Sequence, residues 1–214
     1  MKTLRPYLIA SLAALPLASA APVTAGGAQP APAAPAPAAA PAPATPSPEV
    51  AKARAAIMGL GDKLRGALMG AMTAGGPVAA VETCKTAAPQ LSQDASKPAE
   101  GLIVARTALR VRNPKNAPDA FEKKVLEDFV AKARGGADVT KLEHVEEIEQ
   151  NGVKLVRYMK AIPMAEMPCS ACHGATDKLD PSAAAKVKEL YPADQATGFA
   201  PGEVRGAFSV TMKK

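Results

Sequence analysis

The chain has 214 residues, with 21 Pro, 3% aromatics and no Trp, a length that suits one domain with tails. Its formal charge of +6, from 26 Lys and Arg against 20 Asp and Glu, is too mild to point to nucleic acid, and its 3 Cys exclude a disulfide-dense scaffold. Beyond the extreme N-terminus no apolar run reaches the ~18 residues of a membrane span, so the mature chain is expected to have none.

The first twenty residues read as an export signal. Lys2 and Arg5 give a positive start, Tyr7 to Leu17 a short apolar run, and Ala18-Ser19-Ala20 a small-residue cleavage site. The expected compartment is therefore exported and oxidising, most simply a bacterial periplasm. Residues 21–48 are nearly all Ala and Pro. Pro removes amide donors and Ala supplies little apolar area to bury, so the segment is expected to be an extended, disordered linker. Residues 49–214 are left as one domain with a core of its own.

Within that domain, Ile57, Leu60, Leu64, Leu68 and Met72 recur at spacings of three and four and predict a helix over 50–73, ended by Gly75-Gly76. Pro77 suits the start of a second helix, with Val81, Cys84 and Ala88 on one face and Pro89 as its close. Residues 102–112 read as a strand carrying Arg106, Arg110 and Arg112 on one side, stopped by Asn113-Pro114. Phe121, Val125, Leu126, Phe129 and Val130 define a helix over 119–134. Asn151-Gly152 marks a hairpin whose second arm, Val153 to Ile162, is apolar enough to be central. A short helix is expected over Ser182 to Leu190. A last strand follows over Glu203 to Met212, with Val204, Phe208, Val210 and Met212 on one face. Helices first and antiparallel strands after them predict an α+β domain.

Cys169-Ser170-Ala171-Cys172-His173 is a CxxCH motif, the signature of covalent haem c attachment. Two thiols three residues apart reach the two vinyl groups of one haem, and the adjacent His becomes the proximal iron ligand. A thioredoxin-like redox pair would need a βαβ setting, and a zinc site would need a second ligand pair; neither pattern occurs. Little chain follows His173, and its sole Met is Met212, so the sixth iron ligand is expected upstream or not at all. His144, the only other His, sits among Glu143, Glu146 and Glu147 on an expected hairpin arm. Met159, Met164 and Met167 lie close to the motif, Met167 too close to reach the opposite haem face easily. Cys84, the odd cysteine, is either a buried structural thiol or an iron ligand.

Several blocks of the chain resemble a family of single-haem c-type domains with a PAS-like fold, found alone or ahead of signalling modules. They are Val81-Glu82-Thr83-Cys84-Lys85, Arg106-Thr107, Arg110-Val111-Arg112-Asn113-Pro114, Asn116-Ala117-Pro118-Asp119 and Arg157-Tyr158-Met159-Lys160. The haem motif with Gly174, Leu190-Tyr191-Pro192, Asp194-Gln195-Ala196-Thr197-Gly198 and Arg205-Gly206-Ala207-Phe208-Ser209-Val210 complete them. The resemblance implies a PAS-like antiparallel sheet flanked by N-terminal helices, one haem c, and His173 and Cys84 as axial ligands. Of the cations Arg106, Arg110, Arg112, Lys160 and Arg205, Arg106 and Arg205 are the expected partners of the haem propionates. Tyr158 and Phe208 are the aromatics suited to pack on the macrocycle, and they are equally suited to ordinary core filling. The function expected is redox or gas sensing with an unidentified periplasmic or membrane partner. The alternative is a low-potential electron carrier. A peroxidase-like enzyme would need an acid–base His that only His144 could supply, so no enzymatic activity is expected.

Overall fold

The computed structural model describes residues 46–214. The expected signal segment 1–20 and nearly all of the expected linker 21–48 lie outside the described residues. Helix α1 (Pro48–Ala95) is broken by non-helical backbone at Gly75 and Gly76. Gly76 has a φ of 67°, which costs a residue with a Cβ. The first arm of α1 presents Val50, Ala53, Ile57 and Leu60 to the core. The second arm does not close at Pro89 but runs on to Ala95. A proline inside a helix costs ~3 kcal/mol, but Leu91 and Ala95 beyond it pack against the core and hold the last turns in place.

The remaining elements are β1 (Leu102–Thr107), α2 (Ala120–Arg134), β2 (Glu143–Gln150), β3 (Val153–Pro163), α3 (Ser170–His173), α4 (Pro181–Leu190) and β4 (Val204–Lys213). The strands form one antiparallel sheet in the order β1-β4-β3-β2, so the fold is α+β as expected. Asn151 and Gly152, at φ 53° and 74°, make the β2–β3 turn, and β3 is central. One sheet face packs Leu102, Val104, Val156, Tyr158, Val210 and Met212 under the first arm of α1. On the other face Val125, Leu126 and Phe129 of α2 meet Met159, Ala161 and Ala207.

Two further sequence expectations need correction. The strand at 102–112 ends at Thr107, because Arg110 and Arg112 bind the 194–196 loop and draw the chain out of the sheet. The alternation of Arg106 with Arg110 and Arg112 along one strand is therefore lost. On β4, Ile162 pairs with Gly206 but Pro163 with Val204, which makes Arg205 an extra, bulged residue. The bulge turns Val204 to the α2 face, while Phe208, Val210 and Met212 stay under α1.

Asp119 opens α2 with a capping box: it accepts from the Glu122 amide at 2.7 Å, and Glu122 accepts from the Asp119 amide at 3.1 Å. The same carboxylate accepts from buried Arg157 of β3 at 2.8 Å, and the Arg157 guanidinium lies 4.5 Å over Phe121. Asp119→Ala is expected to lower stability by about 1–2 kcal/mol, the usual cost of a lost cap, read as a fall in the urea midpoint. Partial burial pushes the Asp119 carboxyl up, but the Glu122 amide and Arg157 outweigh it and hold it below the ordinary value. Its contribution is thus complete above the unfolded aspartate pKa of ~3.9 and is lost as pH falls through the lower folded value. The stability difference between parent and variant should shrink over that acid window.

Candidate functional site

The CxxCH motif folds as a single helical turn. The His173 amide donates to Cys169 O at 2.9 Å and the Gly174 amide to Ser170 O at 3.0 Å. Cys169 and Cys172, three apart, fall on one side of that turn. Gly174 is required there, since a Cβ would meet Ser170 O at 2.6 Å. The two thiols face different walls. Cys172 packs with Val81 of α1 and Ala183, Val187 and Tyr191 around α4; Cys169 packs with Met164, Ala196 and Phe199.

The loop after α4 straps the motif. The Gly198 amide donates to Gly174 O at 2.7 Å and the Phe199 amide to His173 O at 3.0 Å. The His173 Nδ1 lies 2.6 Å from Ala196 O. A carbonyl can only accept, so Nδ1 carries the hydrogen and donates it, and Nε2 keeps its lone pair for a metal. The Nε of Arg205 is 3.3 Å from the same Nδ1, two N–H groups meeting as a close contact. Burial first, then the charges of Arg205 and Arg112, hold the His173 imidazole well below its usual pKa and therefore neutral. Arg205 occupies the Nδ1 edge of the ring, away from Nε2.

Arg112 anchors the strap. Its Nε and Nη2 donate to the two Asp194 oxygens at 3.2 Å each, and Nη2 also donates to Cys172 O at 2.6 Å and toward Ala196 O at 3.4 Å. Both side chains of the pair are mostly buried, 11% and 9% exposed. Asp194 in turn accepts from the Ala196 amide at 3.0 Å. One buried ion pair therefore fixes the carbonyl that sets the tautomer of His173. Neither Asp194 nor Ala196 is reached as a site residue from sequence. A main-chain carbonyl has no side-chain signature, and an ion pair 82 residues apart has no spacing to betray it.

Cys84 comes to this site from the second arm of α1, which packs on α4 and α3. Its thiol is open to solvent yet ringed by protein. Burial by that ring pushes its pKa up, while the charges of Arg106 and Arg112 draw it back and Cys169 opposes them. All three cysteines are free thiols. Arg106, also facing Cys84 and Tyr191, has a buried Nε with no hydrogen-bond partner. A buried unpaired guanidinium nitrogen calls for an anion.

The other expected residues stand elsewhere. Tyr158 belongs to the core under the first arm of α1 rather than to the two clusters that hold the motif. Burial pushes its hydroxyl up to about 12, with nearby Arg54 lowering it and Glu143 raising it. Lys160 is committed to Glu143 at 2.8 Å. Phe208 packs toward Gly61 on α1. His144 sits on β2, 3.2 Å from Glu146 and 5.6 Å from the Phe121 ring.

A family model described as Tll0287-like matches residues 17–213. The chain belongs to the Tll0287-like family. A solved member of similar architecture is described as the cyanobacterial heme-protein Tll0287, 25% identical, with a TM-score of 0.56. That match covers 79% of this chain and 98% of the solved one. No curated protein sequence matches the chain. Tll0287-like membership agrees with the single-haem family resemblance carried by the sequence blocks, and the four-stranded antiparallel sheet with flanking helices agrees with the fold it implied. Among the described residues no helix is long and apolar enough to cross a membrane.

Proposed function

We propose that this Tll0287-like chain is an exported, periplasmic haem c protein that acts in redox or gas sensing and carries out no enzymatic turnover. One haem is held by thioethers to Cys169 and Cys172, with His173 and Cys84 as axial ligands. The observation that carries this reading is the gathering of three free thiols and the orphaned Arg106 Nε around a histidine tied at Nδ1. The donor set fits the group: two thiols on one helical turn for the vinyls, a neutral imidazole, a third thiol from another element, and a buried cation lacking its anion. The likeness to a protein described as a heme-protein supports it.

The haem supplies one-electron chemistry at iron. The protein residues set its terms. The Ala196 carbonyl orients the imidazole and raises its basicity. Metal coordination deprotonates a thiol outright, which overcomes the upward push that burial gives Cys84. Arg106 and Arg112 then face the thiolate. Arg106 is the stronger candidate for a propionate, because Arg205 backs His173 instead.

A low-potential electron carrier is the second reading, favoured by the exposure of Cys84, which leaves one side of the site near the surface. Co-expression with a cytochrome c maturation system tests the reading. The parent is expected to keep haem through denaturing electrophoresis, and Cys169→Ala with Cys172→Ala to lose it; a double variant that retains covalent haem would refute attachment there. Nitric oxide added to the ferrous protein separates the two roles. Displacement of Cys84 supports sensing, and an unchanged ligand set with fast reversible reduction supports a carrier.

A further inference from the structure

On the α2 side of the sheet lies a cleft of about 460 Å3, of a size that suits a small organic ligand. Its apolar lining comes from Leu126 and Val130 of α2, Val204 of the bulged start of β4, and Phe199 and Leu109. Three arginines, Arg110, Arg134 and Arg205, line the same space. None of them forms an ion pair with a carboxylate among the described residues; the bonds of Arg110 and Arg205 to oxygen go to main-chain carbonyls, Gln195 O at 3.1 Å and Arg110 O at 3.3 Å. Phe199 pins two of them, with the Arg110 and Arg205 guanidinium carbons 4.1 and 5.2 Å from its ring centre. The one acid in the lining, Glu203, already accepts from the Ala200 amide at 2.9 Å.

We propose that this cleft is a binding site for an organic monocarboxylate with an apolar body, its head group on the arginines and its body on Leu126, Val130 and Val204. Guanidinium forks match a carboxylate in both charge and shape. Inorganic phosphate would leave the apolar floor wet, and a second carboxylate on the ligand would meet Glu203. The site is separate from the proposed haem site but adjoins it: Arg205 lines the cleft and touches His173 at Nδ1, the edge away from Nε2.

Titration calorimetry on the haem-loaded chain tests this, with decanoate as the probe and decylammonium, acetate and inorganic phosphate as controls. Heat of binding reports the cleft whether or not Cys84 ligates iron. The expected result is saturable one-to-one binding of decanoate, at least tenfold tighter than any control. Arg134 is exposed at the end of α2, so Arg134→Glu should fold normally and bind decanoate at least tenfold more weakly; Arg110→Gln should also weaken it. The proposal is overturned by the absence of a saturable heat, by equal affinity for decylammonium, or by Arg134→Glu binding as tightly as the parent.

Discussion

Cys84→Ala in the haem-loaded protein is expected to abolish the low-spin thiolate signature in the optical and EPR spectra and to raise the reduction potential. Thiolate is an anionic donor that favours ferric over ferrous iron. Even a tenfold preference corresponds to ~59 mV for a one-electron couple, and loss of a full negative charge in a crowded site should exceed that. Arg106 sharpens the effect, because it faces Cys84 and forms no ion pair with a carboxylate among the described residues, whereas Arg112 keeps Asp194. The fold should tolerate the change. Cys84 is open to solvent, while its helix neighbours Val81 and Ala88 carry the packing of this arm. Cys84→Ser separates thiolate from size: it keeps the shape but supplies a far weaker donor, so it should resemble alanine. An unaltered spectrum in both variants would remove Cys84 from the iron and leave it an accessible free thiol.

Much of this arrangement is legible in sequence where local rules decide. The Gly75-Gly76 break, the Asn151-Gly152 turn and the α2 stripe each follow from backbone freedom or period, and all three stand in the structure. The CxxCH motif carries its chemistry in five consecutive residues. What fails locally is overruled by tertiary contacts. Pro89 does not end α1, because Leu91 and Ala95 have core to pack on. The strand after Thr107 is undone by two arginines reaching for main-chain and carboxylate oxygens far along the chain. The bulge at Arg205 leaves no pattern in the alternation of β4, yet it decides which face Val204 covers and places a cation behind His173. Tyr158 shows the reverse difficulty. An aromatic in a matching block is equally suited to a haem or to a core, and here it packs beneath α1.

Arg112→Met is expected to be the most destabilising single change near the site, about 3–5 kcal/mol, because it leaves the Asp194 carboxylate buried without its counter-charge. Methionine fills similar space, so the loss reports charge and hydrogen bonds rather than a cavity. The carbonyl of Cys172 also loses its 2.6 Å donor. Asp194→Asn should cost less, since the amide oxygen can still accept from Arg112 and from the Ala196 amide. The double variant should be far less destabilised than the sum of the two, with a coupling of at least ~1 kcal/mol in denaturant unfolding. Additive costs would mean that Arg112 acts through packing alone. The same variants carry a second readout. Because Arg112 and Asp194 hold the loop that presents Ala196 O to His173, loosening them frees the imidazole to rotate. The loaded Arg112→Met protein should therefore show a broadened low-spin EPR signal at a temperature where it is still folded. A sharp, parent-like signal would confine the Arg112–Asp194 pair to a stabilising role and leave the orientation of His173 to the turn of α3 itself.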